Sequence, residues 1–219
     1  MARGTNDEAT LRLLNAIEEE EWVSQRSLST RLGIAVGLTN AYVKRCLNKG
    51  WIKMSRAPAR RYKYYLTPKG FAEKTRLTAR YLSRSFQFFR EARSQCDEAF
   101  AQCLRRGWSR VVLCGAGELA EIAVLTAREG PIEPMVIVAP DSAVAEFAGL
   151  PVLPDLAAAG PIDAVIVTDI SEPQAVYEAL TAHLDDERIL TPPLLNLTRR
   201  ELRRANQRPT RQATPQSDR

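Results

Sequence analysis

Two sets of residues carry the chemistry this sequence can offer. The first is Gly115-Ala116-Gly117-Glu118-Leu119-Ala120, a GxGxxA turn between an apolar run, RVVLC, and a helix-like run, EIAVLTARE. Glycines in such a turn permit close backbone approach, and the helix start that follows offers free N–H groups to a phosphate. Asp141, just past the apolar run MVIVAP, stands where such folds bind a ribose hydroxyl. It stands equally where a helix over SAVAEF would be capped. Thr168 and Asp169 end another apolar run, DAVIVTDI, and could border the same crevice. The candidate ligand residues are therefore Gly115, Ala116, Gly117, Glu118, Leu119, Asp141, Thr168 and Asp169. Glu118 opposes an anionic phosphate by like-charge repulsion.

The second set is basic. From Trp22 to Arg90 there are 16 Lys and Arg and one acid, Glu73. Residues 1–110 carry 22 Lys and Arg against 10 Asp and Glu, a net +12. Residues 111–198 carry 2 against 14, a net −12, and residues 199–219 carry 7 against 2, a net +5. This polarity points to a phosphate-facing half and a separate acidic half. Double-stranded DNA is the partner it implies. Thr39 and Asn40 are expected to meet base edges. Lys44, Arg45, Arg56, Arg60, Arg61 and Lys63 are expected to bind phosphate, with Ser24, Gln25 and Tyr42 completing the surface.

Other chemistries find little support. Cys46, Cys96, Cys103 and Cys114 show no metal-ligand spacing, and His183 is the single histidine, so no metal is expected. The cysteines read as reduced, packed thiols, with a redox-sensing thiol as the alternative. Glu118 and Glu121 have no evident second group for acid–base work, and His183 reads as a surface residue, so no catalytic residue is assigned. No run is long and apolar enough for a membrane helix, and the start of the chain lacks the apolar core of a signal peptide. A cytoplasmic location without membrane contact is the expectation.

The elements that must position these residues follow from periodicity. Residues 7–20 space Leu11, Leu14 and Ile17 as a helix capped by Asn6 or Asp7. Ser24 caps a second helix that buries Leu28 and Leu32 and ends at Gly33. A third runs from about Val36 or Gly37 to Asn48 and stops at Gly50. WIKMS and RYKYYLT then alternate around a turn as a β-hairpin wing. From Gly70 to Gly107 no Pro or Gly interrupts a long amphipathic pattern that includes Tyr81, Phe86, Phe88 and Phe89. Such an apolar stripe predicts a helix-mediated homodimer. Beyond it, apolar strand-like runs (RVVLC, MVIVAP, GLPVL, DAVIVTDI, RILTP) alternate with helix-like ones, including EPQAVYEALTAHL, as in a covered parallel sheet.

The predicted fold class is two-domain α/β: an N-terminal winged helix-turn-helix, a long linker helix and a C-terminal Rossmann-like parallel sheet. The expected boundaries are 1–70, 71–107 and 108–198. A basic tail, 199–219, follows; its first turns extend a helix, LLNLTRRELRRA, and the remainder is disordered.

Two family resemblances bear on this reading. The run RSLSTRLGIAVGLTNAYVKRCLNKGWIKM, followed by YYLTPKGFAEKTRLTARYL, resembles the MarR-type winged helix regulators, closest to the exopolysaccharide-associated branch, over about residues 7–90. That resemblance implies dimeric DNA binding and a link to polysaccharide genes. VVLCGAGELAEIA, VIVAPD and AGLPVL resemble the Rossmann-like N-terminal domain of sialic-acid-type sugar O-acyltransferases over about residues 110–170. This implies a nucleotide-sugar effector, although Glu118 and Leu119 replace that family's usual Gly and His. In domain order the chain also looks like redox-sensing repressors that join a winged helix to an NAD(H)-binding domain, which implies a dinucleotide effector. Alternatives are a Rossmann-like domain used only for dimerisation or partner recruitment, or a nucleotide-using enzyme localised by the DNA-binding module.

Overall fold

Leu11, Leu14 and Ile17 do lie on one buried helical face, but their helix, α1 (Ala2–Glu19), begins well before the expected caps. The computed structural model describes residues 2–19, 24–56, 62–140 and 142–198, in two units, Met1–Gln87 and Phe88–Arg219. Asn6 and Asp7 sit inside α1. The Asn6 carbonyl accepts from the Thr10 hydroxyl at 2.7 Å, and Asp7 pairs with Arg80 at 2.5 Å.

The first unit is a winged helix-turn-helix. Ser24 caps α2 (Gln25–Leu32) through a reciprocal capping box with Ser27, and Gly33 closes it at φ +65° in the left-handed region. The Ser29 hydroxyl donates to the Ile34 carbonyl at 2.6 Å and fixes the turn into α3 (Val36–Asn48). The wing strands β1 (Ile52–Arg56) and β2 (Tyr62–Leu66) pair antiparallel, Ile52 opposite Leu66 and Met54 opposite Tyr64. Leu14, Leu28, Val43, Cys46, Ile52 and Tyr64 meet in one core, each such side chain contributing about 1.5–3 kcal/mol by leaving water. Thr67 then caps the long α4 (Pro68–Arg105). Its hydroxyl accepts from Gly70 N at 3.0 Å and donates to the Gly50 carbonyl at 2.6 Å, which ties the hairpin base to the helix start.

The second unit is a six-stranded sheet in the order β5-β6-β4-β3-β7-β8, formed by β3 (Val111–Cys114), β4 (Val136–Val138), β5 (Glu146–Phe147), β6 (Leu150–Leu153), β7 (Ala164–Val167) and β8 (Ile189–Leu190). All neighbours are parallel except β5 and β6. The parallel strands, counted along the chain, lie in the order 3-2-1-4-5, the Rossmann arrangement. β3 is buried along its whole length, which explains its unbroken apolar sequence. Val111 and Leu113 face α5 (Glu118–Ala127) and the later turns of α4, where Cys96, Phe100 and Cys103 lie. Val112 and Cys114 face α6 (Pro173–Thr181), where Tyr177 and Leu180 lie.

Two runs expected to be helical are not helical where they are described. SAVAEF forms no helix; its end becomes β5, turned onto β6 through Ala148 at φ +53° and Gly149 at φ +85°. Residues 194–198 extend no α-helix either, because Pro193–Leu195 is a single 3-10 turn closed by Asn196 at φ +51°. The rest of the tail, from Arg199, lies outside the described residues. The β6–β7 connection carries only a 3-10 turn, Ala157–Ala159, instead of a full crossover helix. Among the described residues, no helix is long and apolar enough to cross a membrane.

Candidate functional site

The inner face of α3 is Thr39, Val43 and Cys46, all buried and spaced i, i+4 and i+7. This phase fixes what α3 offers to a partner. Its outer side carries Gly37, Leu38, Ala41, Lys44, Arg45 and Asn48, all exposed. Thr39 therefore cannot reach a base edge, as the sequence suggested. It has no exposed surface, and its hydroxyl is donated to the Ala35 carbonyl at 3.2 Å. Asn40 and Tyr42 are half-buried at the flanks, and Tyr42 packs against the core. The Arg45 guanidinium donates to Asn6 Oδ1 at 2.7 Å, which holds it along the α1 side of the face. Lys44 is exposed, Lys63 is half-buried on β2, and Ser24 is exposed with its hydroxyl engaged in the α2 cap. The side chains of Gln25 and Arg56, and residues Arg60, Arg61 and Asp141, lie outside the described residues.

In the second unit the strand order reverses beside β3, where β4 lies on one side and β7 on the other. Open α/β sheets bind ligands at such a switch point, beyond the carboxyl ends of the strands. A cavity of about 1060 Å³ opens there. Its walls include Gly115, Ala116, Val138, Leu156, Val176 and Leu180. The space follows from the fold, because the short 3-10 connection leaves unfilled the volume a crossover helix would take beside α6. Among the described residues its polar side chains are Ser142, Asp155, Asp169, Ser171, Glu172 and His183, with no Lys or Arg. Asp169 Oδ1 accepts from the Ser171 and Glu172 backbone N–H groups, both at 2.8 Å, and Asp155 Oδ1 accepts from Ala158 N at 2.9 Å. These bonds hold both carboxylates in place.

The structure brings together Gly115, Ala116 and Asp169 of the expected ligand residues, and it corrects two. Leu119 is fully buried in the sheet–helix core and meets no ligand. Thr168 is fully buried too, its hydroxyl donated to the Gly115 carbonyl at 2.8 Å, so it braces the turn. Gly117 and Glu118 do not line the cavity, and Glu118 is exposed at the first turn of α5. Asp155, Glu172 and His183, none of them among the expected ligand residues, also line the cavity. They come from separate connections, and no local motif marks them.

At the opposite end of β3 and β7, Asp163 accepts from Ser109 N at 3.0 Å, Arg110 N at 2.9 Å and the Arg110 guanidinium at 2.8 Å. The guanidinium bond, then the backbone bonds, hold its carboxyl well below the usual carboxylate range. The four cysteines are free and buried. Burial pushes the thiols of Cys46, Cys96 and Cys114 up to about 12 and that of Cys103 to about 11. Among the described residues, no three His, Cys, Asp or Glu side chains gather as a metal site.

Residues 6–53, which span α1–α3 and the start of β1, match the family model described as winged helix-turn-helix DNA-binding. The N-terminal unit is thus a winged helix-turn-helix module, and the C-terminal unit has a Rossmann-like sheet. Solved structures similar to the chain include the PcaV transcriptional regulator from Streptomyces coelicolor, at 25% identity and TM-score 0.37, covering 45% of this chain and 74% of that one. Another is the multiple antibiotic-resistance repressor MarR from Listeria monocytogenes 4b F2365, at 23% identity and TM-score 0.30, covering 36% and 57%. A third is PigF with SAH, at 14% identity and TM-score 0.25, covering 87% and 56%. No curated protein matches the chain.

Proposed function

We propose that this chain is a dimeric, DNA-binding transcriptional regulator whose Rossmann-like unit senses a small molecule. The observation that carries the reading is the outer face of α3. It is exposed and bears Lys44 and Arg45, in a segment from Trp22 to Arg90 whose single acid, Glu73, is engaged by Arg76 at 2.6 Å. A helix of this kind fits the major groove, and a basic wing holds the flanking phosphates. Arg60 and Arg61, between the wing strands, are assigned to phosphate. Replacing both with Ala should weaken binding to every duplex and flatten its salt dependence by roughly one unit of slope per lost contact, read by fluorescence anisotropy. Affinity for duplex DNA that does not change with salt would defeat the reading.

The finer assignment rests on the sequence resemblances: polysaccharide genes as targets and a nucleotide sugar as effector, with a dinucleotide second. The cavity beyond β3, β4 and β7 favours a ligand of this size. Carboxylates and hydroxyls line it, so its walls suit sugar hydroxyls and a base rather than the diphosphate. Asp155, Asp169 and Glu172 are the proposed acceptors. Genomic footprinting of bound sites, followed by calorimetry with UDP-sugars and NAD(H), tests both parts. Footprints away from polysaccharide genes defeat the first, and no heat from either ligand class defeats the second.

A further inference from the structure

We propose that Leu38 and Ala41 read thymine methyl groups in the major groove, so that the operator half-site carries an obligatory thymine under α3. The inference rests on the DNA-binding reading above and asks what that surface can recognise. In the first two turns of α3 the exposed residues are Val36, Gly37, Leu38 and Ala41, and none has a polar side-chain atom. Val36 and Leu38 keep about half of their surface in water, at 47% and 49%. The polar candidates of the same turns are turned away or half-covered: Thr39 is fully buried, and Asn40 is half-buried at the flank. The exposed side chains in the N-terminal half of α3, the part of a recognition helix that meets base edges, are therefore apolar, while its polar Asn40 and Tyr42 are half-buried at the flanks.

The major-groove edges of the four base pairs carry donors, acceptors and one apolar group, the thymine C5-methyl. An outward strip of Leu and Ala matches only that group. Gly37 and Ala41 also keep the outer face thin, which lets the helix backbone approach the groove floor. Leu38, Ala41 and Arg45 are spaced i, i+3 and i+7, so one row runs from apolar contact to a cation. No acid lies in the sequence from Trp22 through Ala72, and the surrounding charge favours a polyanion over an apolar protein groove.

The test starts with a duplex selected from a random library by the full-length protein, in which each half-site thymine is replaced in turn by deoxyuridine. Uracil lacks only the methyl. The expected result is an affinity loss of about fourfold at one or two thymines per half-site, the transfer of one methyl group out of water. Leu38→Ala should lose the discrimination at the thymine that Leu38 meets and keep it at a thymine met by Ala41, with the wild-type melting temperature, because Leu38 is exposed. Selected sites at which no thymine-to-uracil change weakens binding would overturn the assignment. So would a Leu38→Ala variant that still discriminates to the wild-type extent at every such position. A protein that selects no duplex at all overturns the DNA-binding reading itself, and the two failures are thereby distinct.

Discussion

Gly115 and Asp169 meet backbone to backbone: a Cβ at residue 115 would fall 2.4 Å from Asp169 N and 2.6 Å from its Cα. Gly115 also has φ +113°, in the region that favours glycine. The glycine of the turn is thus required by the way β3 hands over to the loop after β7, before any ligand is considered. Gly117 differs. A Cβ there meets nothing within 4 Å, and its φ of −156° is ordinary extended backbone.

Gly115→Ala should therefore destabilise the Rossmann-like unit by about 1–3 kcal/mol or more, from strained backbone plus overlap. Gly117→Ala should leave it within about 1 kcal/mol of wild type. Thermal and urea unfolding would separate the two. Equal losses would mean that the close approach to Asp169 is not what the turn needs.

The same pair marks what the sequence could and could not reveal. The helix-turn-helix is legible because its signals are local: Ser24 caps, Gly33 stops, and Leu28 and Leu32 point inward. The strands of the sheet are legible because both faces are buried. Thr39 misleads because a Thr beside Asn40 reads as outward-facing, while the phase of α3 is set by Val43 and Cys46, which pack on residues distant in the chain. SAVAEF misleads because a short apolar run reads as helix or strand alike, and here Ala148 and Gly149 turn it into a hairpin. The cavity is illegible because its walls come from connections far apart in sequence, and because it exists only where a crossover helix is missing.

Thr67 should be worth about 1–2 kcal/mol to the first unit, the usual contribution of a helix cap. Its hydroxyl bridges the Gly50 carbonyl and Gly70 N. Thr67→Ala removes these bonds and the longer one to the Trp51 carbonyl at 3.2 Å, whereas Thr67→Ser keeps the hydroxyl and should recover most of the loss. Gly70→Ala should cost more than Thr67→Ala, since its Cβ would lie 1.9 Å from the Trp51 carbonyl oxygen. Chemical denaturation of the three variants orders them. A Thr67→Ala protein as stable as wild type would show that the cap is idle.

Asp163 should make the Rossmann-like unit acid-sensitive. Its folded-state pKa is depressed, so its stabilisation is complete above the unfolded carboxylate value of about 3.9 and is lost as pH falls toward the folded value. The stability gap between wild type and Asp163→Asn should be constant from pH 7 to about 5 and shrink below about 4. Denaturant midpoints across that range measure it. A gap that widens on acidification would contradict the Arg110 clasp.

All four thiols should resist modification in the folded protein. Each is buried, and its pKa is raised by desolvation, so almost no thiolate exists at pH 8. Ellman's reagent should react with none of them within minutes at pH 8 and with all four in 6 M guanidinium. Rapid reaction of one native thiol would revive the redox-sensing alternative for that residue.

The middle of α4 carries the argument for a dimer. Every residue from Ala79 to Glu91 is exposed, and five are large and apolar: Tyr81, Leu82, Phe86, Phe88 and Phe89. So much apolar surface on one helix is costly to leave in water and suits self-association. A twofold dimer would also present two α3 helices to half-sites about 34 Å apart. Phe86→Glu with Phe89→Glu should leave the melting temperature of each unit nearly unchanged, because neither ring is in a core. The variant should sediment as a monomer at micromolar concentration, where the wild type sediments as a dimer. Its affinity for a two-half-site duplex should fall about 100-fold through lost bivalency, while affinity for a single half-site stays the same. A wild-type protein that sediments as a monomer at that concentration, with and without DNA, would remove the dimer and leave the apolar turns of α4 to another partner.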